Sequence, residues 1–120
     1  MTFKTAEEAI KSTNDAIERR LAGKKKLISI PTYKINEKSG TYSSVANHVL
    51  IRGKVRFIVP GSPDEKWYIS KEVTNPTFVD TAVLANDALL HFGSVKKMNL
   101  IGVIKHWKND GITHAGFDLW

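Results

Sequence analysis

Three cations alternate along residues 47–59: Arg52, Lys54 and Arg56. Successive side chains of a β-strand leave opposite faces, so alternate residues form a row with a spacing of about 6.6 Å. Such a row can follow a phosphate backbone, and each arginine can clasp a phosphate with two hydrogen bonds. The opposite face of the same stretch carries Val49, Ile51, Gly53, Val55, Phe57 and Val59, which predicts a half-buried strand. Residues 61–65, Gly-Ser-Pro-Asp-Glu, are turn chemistry, and residues 66–70 read as the returning strand. With Trp67 and Ile69 pointing inward, Tyr68 would join the cations and offer a base a stacking surface. Lys24, Lys25 and Lys26 directly follow Arg19 and Arg20. They read either as a solvated helix end whose charges offset the dipole or as an extension of the same anion-binding surface. The plain reading of the strand row is a solubilising sheet face, since exposed sheets often carry such charges.

The histidines are His48, His91, His106 and His114. No two lie within four residues and the chain has no cysteine, so the clustered spacing of a metal site is missing. No metal or cofactor is expected. His91 follows Asp87 by one helical turn, with Asp80 on the same stripe. Such a pair can serve acid–base catalysis, but at a helix end it is more often an ordinary surface pair. No phosphate-cradling loop, dinucleotide fingerprint or strand–turn serine nucleophile is present, which leans the reading away from an enzyme.

The last hairpin presents a further candidate surface. Asn109-Asp110-Gly111 is a strong signal for a two-residue turn between residues 98–107 and 112–120. That register sets Trp107 opposite His114 and Ile104 opposite Phe117. One face then collects Leu100, Ile104, Ala115, Phe117 and Leu119. The other collects Lys105, Trp107, His114 and Asp118, with Ile101 and Val103 beside them and His106 turned away from His114. An exposed tryptophan with polar neighbours can be a recognition hot spot, or it can be covered by the N-terminal helix or a second subunit.

Two helices must position these strands. Residues 5–21 open with a capping box, Thr5-Ala6-Glu7-Glu8, and carry Ala6, Ile10, Thr13, Ile17 and Leu21 on one face, with Gly23 as the stop. Glu7 with Lys11, and Asp15 with Arg19, are spaced to pair along this helix. Residues 76–92 form the better core helix, with Asn75 as cap, Pro76 at the first position and Gly93 at the end. Phe78, Ala82, Ala85, Leu89 and Phe92 make its stripe. Residues 27–33 read as a strand placed at an edge by Pro31. Residues 34–46 read either as a hairpin turning at Ser39-Gly40 or as a loop. The fold class expected is a single α+β domain over residues 1–120: a mainly antiparallel sheet of about five strands, with the N-terminal helix and the central helix packed on it.

The chain has 120 residues, suited to one domain, and 18 Lys and Arg against 12 Asp and Glu, a formal charge of +6. The charge favours polyanions or acidic protein surfaces as partners. The absence of cysteine fits a reducing compartment, no apolar run reaches a membrane span, and the polar, helical start is unlike a signal peptide. A cytoplasmic location is expected. The leading expectation is a small basic, non-enzymatic binding protein that contacts nucleic acid through the basic sheet face. The alternative is a protein-binding inhibitor or assembly subunit acting on an acidic partner, including self-assembly through the N-terminal helix or the C-terminal hairpin. A third is a binder of small anionic ligands such as nucleotides, or an enzyme acting on them.

Overall fold

Both helices lie on one side of a mixed β-sheet, which leaves the sheet's other side open. The computed structural model describes residues 1–120 as α1 (Ala6–Leu21), β1 (Ile28–Ser29), β2 (Lys34–Asn36), β3 (Thr41–Ser43), β4 (Lys54–Val59), β5 (Tyr68–Ile69), β6 (Val73–Thr74), α2 (Phe78–His91), β7 (Met98–Asn109) and β8 (Ile112–Leu119). Six strands form the main sheet in the order β1-β7-β8-β4-β5, with β6 also paired to β4. The α+β arrangement stands, but the sheet is mixed, so the expectation of a mainly antiparallel sheet is inexact. β1 runs parallel to β7 and β4 parallel to β8, while β7–β8, β4–β5 and β4–β6 are antiparallel. Each expected hairpin exists; what the turns did not reveal is that the two join through a parallel pairing.

The remaining strands, β2 and β3, form a separate hairpin with Gly40 at φ 66 in its turn, which resolves residues 34–46. It is held to α1 where Phe3 bridges Tyr42 and the Thr13 hydroxyl meets that of Ser44 at 2.6 Å. The edge strand β1 is shorter than its apolar run, yet Leu27, Ile28 and Ile30 are all buried. Asn14 of α1 clamps this segment, donating to the Ile30 carbonyl and accepting from the Ile30 amide.

In α1, Thr5 caps the helix by accepting from the Glu8 amide at 3.2 Å. Ala9, Thr13, Ile17 and Leu21 are the buried stripe. The ion pair along α1 joins Lys11 to Asp15 at 2.7 Å, in place of the two pairs that spacing suggested. In α2 the cap is Thr77, not Asn75, with Asp80 completing a capping box from both directions. Asn75 has another task. It sits at φ 49, where asparagine is tolerated, and clips Gly53: the Gly53 amide donates to Asn75 Oδ1 at 2.6 Å and the Asn75 amide to the Gly53 carbonyl at 2.8 Å.

The core fills the space between α2 and the sheet. Val79, Ala82 and Ala85 meet Ile28, Leu100 and the Ile17–Leu21 turn of α1. Leu84 meets Ile51, Val55, Phe57 and Ala115, with Phe117 stacked on Phe57 at 4.7 Å. Asn86 is fully buried on the helix side, accepting from the Leu27 amide at 2.6 Å and donating to the Lys25 carbonyl at 2.9 Å. At the far margin β7 pairs with β1 through only Met98 and Asn99, so its outer edge pairs with no strand from there to Asn109.

Candidate functional site

Because Val55 and Phe57 face α2, the alternate residues Lys54, Arg56 and Ile58 of β4 face away from it. Register carries this open face across the sheet. Arg56 pairs with His114 of β8, and His114 with Trp107 of β7. The Trp107 ring lies on the His114 imidazole, 5.0 Å between centroids and 13° from parallel. Lys54 pairs with Ile112, and Ile112 with Asn109, so the cationic end of the face runs toward the Asp110-Gly111 turn. In that turn Asp110 at φ 51 and Gly111 at φ 77 give the left-handed pair a two-residue hairpin demands.

The other end of the face is apolar. Ile58 pairs with Ile69, and Ile104 with Gly116. Ile104 is 48% exposed, Ile69 60% and Trp107 50%. Ile58 is buried at 6% although it points away from the helices, so this side is partly packed by its own residues.

Two irregularities in β7 shape the face. Pairing shifts between Leu100 and Gly102 and again between Lys105 and Trp107. A bulge inserts an extra residue and re-aims those after it. Trp107 still meets His114, as expected, but Ile104 meets Gly116 in place of Phe117, and Val103 takes the Phe117 position in the core. Ile104 is therefore outside, not in the core. Lys105 meets Ala115 on the helix side, so it leaves the surface it was expected to share with Trp107, His114 and Asp118. His106 moves the opposite way. Its Nε2 stands 2.8 Å from where a Cβ on Gly116 would project, on the same face as His114. The two histidines expected on opposite faces thus share one.

The expected nucleic-acid residues do not gather. Arg52 is exposed but lies before β4, beyond Gly53 at φ 95, so strand alternation does not carry it into a row with Lys54 and Arg56. Tyr68 faces the opposite way from the cations. Since Ile69 pairs with Ile58 on the open side, Tyr68 turns toward α2, where its ring meets His91 at 5.8 Å and Phe117 at 6.5 Å. Burial, with the nearby Asp87 carboxylate adding to it, pushes the Tyr68 hydroxyl up to about 12. Lys24, Lys25 and Lys26 also sit on the helix side. Lys24 reaches Asp87 at 3.7 Å, the Lys25 carbonyl holds Asn86, and Lys26 donates to the Ser29 hydroxyl at 3.1 Å.

The His91–Asp87 pair is not formed. His91 Nε2 lies 2.9 Å from the Lys66 carbonyl, which requires it to donate, and Asp87 turns to Lys24. Asp80 is engaged by the α2 cap and by Arg20 at 2.8 Å. Burial alone would raise its carboxyl, but the Thr77 amide, the Arg20 guanidinium and the Thr77 hydroxyl together hold it below the usual range. Clefts of about 470 and 400 Å³ flank this ion pair. No group of three His, Asp or Glu side chains stands ready to hold a metal ion, and no helix is long and apolar enough to cross a membrane.

No family model matches the chain, and neither a curated protein nor a solved structure does. The residues that sequence reasoning missed are Ile69, Ile104 and His106. Gly102 and Gly116, glycines inside strands, were the available signal, since such a glycine often marks a bulge or a close approach.

Proposed function

We propose that the protein is a non-enzymatic binding module that docks an acidic protein surface on the open face of its sheet. The observation that carries this is the pairing of exposed apolar residues with cations that nothing in the chain neutralises. Trp107 lies exposed on a level with Arg56, Ile69 and Ile104 lie exposed on one side of that level and Lys54 on the other, and the three ion pairs of the molecule all lie elsewhere. Aromatic residues, isoleucine-type surface and arginine are the chemistry of protein interfaces, where a few desolvated anchors carry most of the energy. A second copy of the chain is a poor occupant, because a +6 molecule would bring like charges together. A chain without cysteine suits a reducing compartment such as the cytoplasm.

The Trp107–His114 stack beside Arg56 favours a second reading, a single-stranded nucleic acid whose bases stack there. One experiment separates the two: amide chemical-shift mapping at low salt with an alternating Glu-Val octapeptide and with an oligothymidylate. The octapeptide should perturb Arg56, Ile69, Ile104 and Trp107 together, and Ile104→Asp should abolish the effect while the spectrum stays folded. Perturbations scattered over the lysines would sink the proposal. Tighter binding of the oligonucleotide on Lys54 and Arg56 would replace it with the second reading.

A further inference from the structure

Resting on that reading, we propose that Arg56 and His114, with Trp107 stacked over the imidazole, form the seat for one carboxylate side chain of the protein partner. The two residues are direct register partners on adjacent parallel strands, so their side chains leave the same face next to each other. Their inner nitrogens, Arg56 Nε and His114 Nδ1, are closed to solvent and bond to nothing. Their outer nitrogens also make no hydrogen bond, yet are not among the enclosed atoms, so they open onto the face. Both side chains are thus held by packing alone, with their working ends free. Buried polar groups in folded proteins are nearly always bonded, so two unmet nitrogens on paired residues mark a spot whose polar groups the chain leaves unsatisfied, and a ligand reaches it through the outer nitrogens.

The chemistry selects an acid. A guanidinium presents donors in a fixed fork that matches a carboxylate, and the charged bond is stronger than a neutral one. No ion pair within the chain fills that role, although Glu72, the residue before β6, follows the Lys54–Thr74 and Val55–Val73 pairs into the position opposite Arg56. Asp118 is on the same face but four residues from His114, about 13 Å along the strand. Ile58 and Ile104 border the row, which favours an acid flanked by apolar residues over a highly hydrated polyphosphate. Trp107 then excludes water from the bond, the arrangement in which an interfacial charge pair counts most.

The test uses the full chain and three blocked tripeptides: acetyl-Val-Glu-Val-amide, its Gln counterpart and its phosphoserine counterpart. Binding is read from the Arg56 Nε–H and His114 ring signals in NMR titrations. The Glu peptide should bind at least about fivefold tighter than the Gln peptide, the order expected of one charge-assisted bond. Arg56→Gln should erase that preference. His114→Phe, which keeps a ring under Trp107, should reduce it. Arg56→Lys keeps charge and stem but loses the fork, and should retain a Glu preference smaller than that of wild type, a reading that does not need the glutamine variant to fold. Equal binding of Glu and Gln peptides, or a Glu preference that survives Arg56→Gln, would overturn the seat while leaving the docking face in place. A phosphoserine peptide binding more than about tenfold tighter than the Glu peptide would overturn the carboxylate assignment, since both anions use the same fork. Loss of octapeptide mapping alongside an intact Glu preference would do the reverse, removing the docking face and keeping the seat.

Discussion

β4 serves two opposite surfaces with alternate residues, and the two are built by different rules. Toward the helices, Val55 and Phe57 are fully buried and the polar groups are met but for the Thr81 hydroxyl: Asn86 closes two backbone groups, and Ser70 accepts from the Phe57 amide at 2.9 Å. Away from the helices, Arg56 and His114 keep nitrogens with no partner, and Ile104 and Trp107 stay half uncovered. The first surface is finished by the chain itself; the second is left open by it. The difference separates residues that hold the fold from residues available for binding, even though they are neighbours in sequence.

The contrast can be attacked at several strengths. Phe57→Ala strikes the finished side hardest. It removes a fully buried ring stacked on Phe117 and should cost about 3–5 kcal/mol, read as a fall in the urea midpoint at unchanged slope. Asn86→Ala should follow at roughly 2–4 kcal/mol, because the Leu27 amide and Lys25 carbonyl are both left unmet. A loss under 1 kcal/mol there would mean that water replaces the amide and that the polar closure is not what distinguishes this side.

Alkaline pH comes next. The folded Tyr68 hydroxyl ionises near 12 against an ordinary value of 10.0, so the unfolded chain loses that proton first. Stability from this group is intact below pH 10 and declines as pH rises toward 12. Tyr68→Phe should flatten that decline in urea melts taken between pH 9 and 12, and the partial exposure of the residue keeps the effect modest. The smallest effect on folding belongs to the open side: Trp107→Ser should change stability by no more than about 1 kcal/mol while removing octapeptide binding. If it destabilises as much as Asn86→Ala, Trp107 is a structural cover and the contrast between the two surfaces fails.

Local chemistry made much of this legible. The Thr5 cap, the body of α2, the Asp110-Gly111 turn and the buried alternation of Ile51, Val55 and Phe57 all follow from short-range rules. So does the facing of Trp107 and His114. What escaped is non-local. The β4–β8 pairing joins strands more than fifty residues apart, and no turn announces it. The β7 bulges have only glycines as their trace, and one of them decides whether Lys105 or His106 faces out. Asn75 looked like a cap because Pro76 follows it, but its side chain is taken by Gly53. Tyr68 faces the helices because β5 is a two-residue strand whose register is set by Ile58, not by its own pattern.

The bare margin of β7 has its own consequence for crowded solutions. A stretch of ten residues whose outward peptide groups, about half of the total, meet no strand would ordinarily invite a neighbouring molecule to add a strand and begin a fibril. Here two kinks interrupt the ladder, and Lys105 and Lys108 put charge on the rim, so a flat ribbon has no even template to copy. Straightening the second kink by deleting His106 should therefore shorten the time the protein stays clear at high concentration.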